Sequence, residues 1–189
     1  MLNTSLKGTA MHYTWTYMGP SDSNDIMALS LQVEFEVNTI FNFNPNVLAH
    51  NIVLGLVNQF YTGHSDLIVG VRDDTGKLMA YTWAKNGDST MWSTEKVMSI
   101  AMAHVDPTLS SRTRIKLLQD MLEIWERFAQ ISNTPIITSS TLRHEQNAFL
   151  KLHERAGYTV RGSAAYLRVD LSKKPTKLFD DPTQATPAD

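Results

Sequence analysis

Val97-Met-Ser-Ile-Ala-Met-Ala-His-Val105-Asp-Pro-Thr-Leu-Ser110-Ser-Arg-Thr-Arg-Ile115, with its continuation to Tyr158, is the stretch whose reading decides the fold. The apolar run Val97 to Val105 predicts a strand, Asp106-Pro107 breaks it, and Ser-Ser-Arg-Thr-Arg opens a long helix. In that helix Ile115, Leu118, Leu122, Trp125 and Ala129 recur at three- and four-residue steps, with Met121 and Phe128 widening the stripe. Lys116, Asp120, Glu123 and Arg127 fill the other side, and Ser110 or Ser111 is the expected N-cap. A second strand is predicted from Pro135 to Leu142. A second helix follows, in which Phe149, Leu152, His153 and Ala156 share a face and Gly157 stands where a left-handed C-cap belongs. A strand that runs into a helix N-terminus offers unpaired N–H groups and a positive end to a phosphate-bearing ligand.

On the N-terminal side, Leu67 to Arg72 and Lys77 to Ala84 flank Asp73-Asp74-Thr75-Gly76 and predict a hairpin; Asn86-Gly87-Asp88 is expected to end its second arm. Val47 to Tyr61 reads as an apolar helix after a turn around Pro45. Met11 to Met18 alternates around Tyr13, Trp15 and Tyr17 as a strand does, and Gly19-Pro20-Ser21-Asp22 signals a helix start. Leu29 to Val37 fits both a strand and one helical face, and periodicity does not choose between them. Thr159 to Leu171 reads as one or two further strands. These readings give an N-terminal extension over 1–10, one domain over 11–171 and a flexible tail over 172–189, where apolar residues are few.

The 189 residues suffice to bury roughly 70% of the unfolded chain's surface in one domain. With 17 basic and 19 acidic side chains, the net charge of -2 supplies no global field for nucleic acid or an anionic membrane. Cysteine is absent, which removes disulfides, thiolate metal sites and cysteine nucleophiles. The histidines show no zinc spacing; only His144 and His153 are near one another, on different faces of one helix. No P-loop, nucleophile elbow or dinucleotide fingerprint occurs. Ser139 and Ser140 close a strand with no base recognisable in the sequence, so they read as strand-end hydrogen bonders. The four Trp residues are expected in the core or in a groove wall. No apolar run reaches the roughly 20 residues of a membrane span, and the expected setting is soluble and cytoplasmic.

Three segments resemble the GCN5-related N-acetyltransferase (GNAT) family, over roughly residues 11 to 171. Asp73-Asp-Thr-Gly-Lys-Leu-Met-Ala80-Tyr81 is similar to the hairpin between that family's second and third strands. Val105-Asp-Pro107 resembles the Val-x-Pro that ends its fourth strand, and Gln146 to Tyr158 resembles its last helix. The resemblance implies an α/β (α+β) fold with a mixed, mostly antiparallel central sheet, helices on both faces, and fourth and fifth strands that splay apart. Acetyl-CoA would lie in the gap as co-substrate, its pyrophosphate on the helix N-terminus. It implies transfer of the acetyl group by direct attack of an amine, carried by a small molecule or a peptide. A homo-oligomer or a protein partner is compatible with it.

The family's pyrophosphate loop, Arg/Gln-x-x-Gly-x-Gly/Ala, falls on Ser110, Thr113 and Ile115, none of which matches. No glycine occurs between Asp88 and Ala156, so phosphate meets side chains where glycines would let it approach the backbone. The expected cofactor contacts are Val105, Ser110, Ser111, Arg112, Thr113, Arg114 and Ile115, with the two arginines supplying charged hydrogen bonds. His153 stands where the family often has the Tyr that protonates the departing thiolate. An imidazolium, with a pKa of about 6.5 against about 8.5 for a thiol, is acidic enough to do so; a satisfied core histidine is the alternative. Glu34, Glu36, Glu95 and His104 are the candidates for a general base. The rival to an enzyme is a binding or structural protein of the same fold without acetyl-CoA binding, as in the degenerate acetyltransferase-like proteins of tailed phages, which this chain resembles.

Overall fold

The computed structural model describes residues 13–30, 41–141 and 146–161. The expected N-terminal extension, the C-terminal tail, most of Leu29 to Val37, and the strands expected after Arg161 lie outside these residues, as do Glu34, Glu36 and His144.

The elements run β1 (Thr16–Tyr17), a 3-10 turn (Pro20–Asp22), α1 (Ser23–Ser30), α2 (Pro45–Tyr61), β2 (Asp66–Arg72), β3 (Leu78–Asp88), β4 (Val97–Val105), α3 (Ser111–Ile131), β5 (Ile136–Thr138) and α4 (Asn147–Arg155). Among the described residues five strands form one sheet in sequence order. β1 to β4 pair antiparallel and β4 pairs with β5 in parallel, as the α3 crossover requires.

Strand alternation divides the core in two. Leu67, Val69 and Val71 of β2 point to one face, where Leu117, Met121, Trp125 and Phe128 of α3 cover them. Ile68 points to the other, among Ile26 and Leu29 of α1, Ile52 and Leu56 of α2, and Tyr81 and Trp83 of β3. The helices on both faces therefore follow from the two-residue period of β2 meeting the helical period of α3. On the second face, α2 approaches the sheet closely at Gly55, where a Cβ would stand 2.4 Å from the Trp83 ring.

Several buried polar groups are paired across the layers. The Trp125 indole donates to Thr82 Oγ1 at 2.8 Å and the Trp83 indole to Asp66 Oδ1 at 2.7 Å; Ser30 Oγ donates to Ile26 O, so Tyr81 OH donates to Ser30 Oγ at 2.6 Å. At the edge, Tyr13 OH donates to Asp120 Oδ2 at 2.7 Å, which fastens the N-terminal segment to α3.

Three expectations change. The strand expected from Pro135 to Leu142 keeps only Ile136–Thr138 as β5, with Ser139 to Thr141 outside it, whereas β3 ends at Asp88, within the expected stop, after a register shift in which Gly87 takes φ +108. β1 pairs only at Thr16 and Tyr17, because Met18 N–H bonds Ile68 O and the Gln59 side chain takes Ile68 N–H and reaches Met18 O. Trp83 and Trp125 are core residues, but Trp92 is 86% exposed beside the equally exposed Met91.

Candidate active site

β4 and β5 are in register at Val97 opposite Ile136, Met98 opposite Ile137 and Ser99 opposite Thr138, and there β5 ends. β4 runs on to Val105 with no strand beside this edge among the described residues. The sheet therefore forks after Ser99 and Thr138.

The backbone of the unpaired edge is polarised toward the fork. Asp106 N–H donates to Met79 O at 2.8 Å, which fixes the alternation of the β3–β4 ladder: His104 and Met102 turn their N–H and C=O groups to β3. Val105 and Ala103 turn theirs into the fork, where an extended amide chain would find both donors and acceptors.

At the mouth, the connection from β4 to α3 is organised by side chains instead of glycines. Asp106 is 1% exposed, and its Oδ1 accepts the N–H of Thr108 at 2.8 Å and its hydroxyl at 2.6 Å. Lys77 Nζ reaches Asp106 Oδ2 at 2.6 Å. Burial raises the pKa of this carboxyl, but the bonds from Lys77 and Thr108 outweigh it and hold the group below its ordinary value. Ser110 is the N-cap of α3: its Oγ accepts Thr113 N–H at 3.2 Å and shares a proton with Thr113 Oγ1 at 2.8 Å. Leu109 N–H goes to Asp106 O and Arg114 N–H to Ser110 O. Among the described residues this leaves the N–H groups of Ser110, Ser111 and Arg112 for an outside acceptor.

The side chains expected at the cofactor are thus gathered at one place. Val105 ends β4; Ser110 and Thr113 form the cap; Ser111 and Arg112 are exposed on the first turn. Arg114 is half-buried, with Nη2 donating to Ser111 Oγ at 3.2 Å and a buried Nε that has no partner among the described residues. Ile115 is 52% exposed and stands outside both core clusters.

His153 is placed differently from an open acid. It is 4% exposed, with Phe149 at 4.1 Å, Tyr158 edge-on at 4.9 Å and Trp125 at 6.1 Å between ring centres. Nδ1 lies 2.9 Å from Phe149 O and Nε2 lies 3.1 Å from Ser139 Oγ. A carbonyl only accepts, so Nδ1 carries the proton, Nε2 is bare, and Ser139 donates to it. Burial lowers the histidine pKa against the smaller opposing effect of the Phe149 carbonyl, which favours this neutral form. In this neutral form the bare nitrogen of the ring faces the Ser139 hydroxyl. Ser139 therefore has the partner that the sequence did not reveal. Strand end and helix stand 14 positions apart, and only the fold brings them together.

The remaining candidates are less constrained. Glu95 is exposed and accepts from Ser93 Oγ at 3.0 Å; His104 is half-buried with its ring 5.3 Å from that of Tyr81. Among the described residues no group of histidines and carboxylates is placed to hold a metal, and no helix is long and apolar enough to cross a membrane. An open depression lined by Glu126, Gln130, Asn133 and Pro135 lies at the start of β5, the wrong end for the fork.

No protein-family model and no curated protein matches the sequence. Solved structures do match the fold. An aminoglycoside N-acetyltransferase, AAC(6')-Iy, in complex with CoA superposes with a TM-score of 0.63 at 14% identity, over 87% of this chain and 99% of that one. Glucosamine-6-phosphate N-acetyltransferase from Arabidopsis thaliana gives 0.60 at 14%, over 84% and 99%. Ribosomal-protein-alanine N-acetyltransferase from Brucella melitensis gives 0.58 at 10%, over 84% and 100%. The chain has the GNAT fold. The fold expected from the resemblance is thereby present as architecture: a mixed, mostly antiparallel sheet with helices on both faces, its parallel pair being β4–β5. These three GNAT structures carry names with three different amine acceptors, so the fold alone does not choose among them.

Proposed function

We propose that the protein is an acetyl-CoA-dependent N-acetyltransferase. The observation that carries this reading is the fork: pairing between β4 and β5 stops at Ser99 and Thr138 while β4 continues to Val105. A pantetheine arm fits such an edge because its amides can pair with the backbone groups of Ala103 and Val105, as a further strand would. The pyrophosphate would meet the free N–H groups of Ser110, Ser111 and Arg112, the positive end of α3, and the guanidinium groups of Arg112 and Arg114. The Nε of Arg114, buried and without a partner among the described residues, supports its part in this. Val105, Thr113 and Ile115 would line the approach, where the 52% exposed Ile115 stands outside both core clusters. The acceptor is an amine, on a small molecule or a peptide, and the cytoplasmic setting belongs to the same reading.

One observation favours a second reading. Thr108 and Thr113 N–H groups are already taken by Asp106 and Ser110, and no glycine opens the loop, so a phosphate finds fewer donors here than a glycine-rich loop provides. In that reading the domain is a binding or structural protein that keeps the fold alone. Titration calorimetry with acetyl-CoA separates the two. Binding in the micromolar range, a melting temperature that rises with ligand, and about tenfold weaker binding in Arg114→Ala are expected of the enzyme. No heat at millimolar acetyl-CoA would leave only the scaffold.

A further inference from the structure

Ser139 is the first residue beyond β5, so it sits where the sheet begins to fork. It is half-buried, while the histidine behind it is almost wholly shielded from water. The order Ser139 Oγ–H to His153 Nε2 at 3.1 Å, then His153 Nδ1–H to Phe149 O at 2.9 Å, is a hydroxyl, a base and a group that orients the base. Activated serine nucleophiles are recognised by that arrangement of roles and not by sequence order. The Phe149 carbonyl cannot give up a proton and the packed rings of Phe149 and Tyr158 hold the imidazole in place, so the tautomer is set by the fold.

We infer that Ser139 is a nucleophile, activated by His153, which takes the acyl group from a thioester lying in the fork before passing it on. The inference rests on the acetyl-CoA reading for the identity of the donor, and replaces single-step attack by the amine with two steps. In the first, Ser139 Oγ bonds the acyl carbon as its proton moves to Nε2, the C–S bond breaks with its electron pair on sulfur, and the imidazolium returns the proton to the thiolate. In the second, the amine lone pair attacks the serine ester, the C–O bond breaks, and Nε2 carries the proton from nitrogen back to Oγ. No other reactant is needed. Water in place of the amine gives the free acid. Burial of the imidazole, which disfavours its charged form, suits both returns of the proton.

Two measurements test this separately from cofactor binding. The first exposes the protein to a fluorophosphonate, which phosphonylates an activated serine oxygen with loss of fluoride, and locates the adduct by peptide mass spectrometry. The expected result is one adduct at Ser139 that is absent in Ser139→Ala, retained in Ser140→Ala, and formed about a hundredfold more slowly in His153→Asn. Should His153→Asn fail to fold, the comparison of Ser139→Ala with Ser140→Ala still decides. No adduct, or one that survives Ser139→Ala, overturns the inference. The second mixes the protein with acetyl-CoA alone, quenches in acid and looks for acetyl on the Ser139 peptide. Acetyl there supports both the donor and the nucleophile. Fluorophosphonate labelling without acetylation keeps the nucleophile and removes acetyl-CoA as its donor. Amine acetylation with neither adduct keeps the enzyme and removes the serine step.

Discussion

The turn between β2 and β3 and the turn between β4 and α3 are made by the same device, an aspartate that holds a threonine two positions on. Asp73 Oδ1 accepts Thr75 N–H at 2.9 Å and Thr75 Oγ1 at 2.6 Å; Asp106 Oδ1 accepts the same two atoms of Thr108 at 2.8 and 2.6 Å. The surroundings differ. The first turn stands open to solvent at Asp74, Thr75, Gly76 and Lys77, and it closes through Gly76 at φ +85. In the second only the aspartate is buried, with Pro107 and Thr108 exposed; it closes without glycine, and the charge of Asp106 is met by Lys77, which projects from the end of the first. Identical local chemistry thus shapes an edge in one case and anchors the mouth of the fork in the other. Water can replace the bonds of Asp73 but not those of Asp106.

The strongest way to break the comparison is to remove each carboxylate. Asp106→Ala strips two bonds from Thr108 and the partner of Lys77, and is expected to lower the unfolding free energy by about 2 kcal/mol. Asp73→Ala should move the urea midpoint much less, and equal shifts in the two would show that burial makes no difference. The devices that close each segment come next. Ser110→Ala removes the cap of α3 and should cost about 1 kcal/mol. Gly76→Ala meets no atom but must hold a left-handed backbone, which also costs about 1 kcal/mol. Thermal or urea unfolding of Ser110→Ala that matches the parent would show the cap to be idle.

Acid unfolding sharpens the contrast further. A carboxyl whose folded pKa is depressed adds stability above its unfolded value of about 3.9, and that stability is lost as pH falls through the folded value. Asp106→Asn should therefore make the fall in stability below about pH 4 shallower, leaving the part that Asp73 and Asp120, whose pKa values are also lowered, continue to supply. The smallest effect belongs to Lys77→Met. It removes one of the bonds that oppose burial, so the folded pKa of Asp106 moves up toward the unfolded value: the acid limb should end at higher pH and be shallower, with a correspondingly small loss of stability at neutrality. A limb that stays where it was would mean that Thr108 alone holds the charge.

Most of the architecture was legible in the chain. β4 spans Val97–Val105 as its apolar run indicated, Ser110 caps α3, and Gly157 takes φ +87 after α4. These elements have strong local signals: a continuous apolar run, a cap hydroxyl, a residue without Cβ. Where two signals competed, the reading stopped short. Leu29 and Ser30 belong to α1, an outcome that period alone did not choose.

The candidate site divides along the same line. Arg112, Arg114 and the residues around them could be proposed together because they are contiguous in the chain. Ser139 and His153 were each seen and set apart, since neither carries a sign of the other.

By itself the sequence determined the order of strands and helices, the breaks between them and the two faces that had to be covered, because these depend on neighbours within a few positions. Only the tertiary structure decided that Asp106 is buried while Asp73 is not, that β5 stops six residues short of its neighbour's end, and that His153 turns its bare nitrogen to Ser139. Those outcomes depend on distances between segments far apart along the chain, which packing sets and local propensity does not.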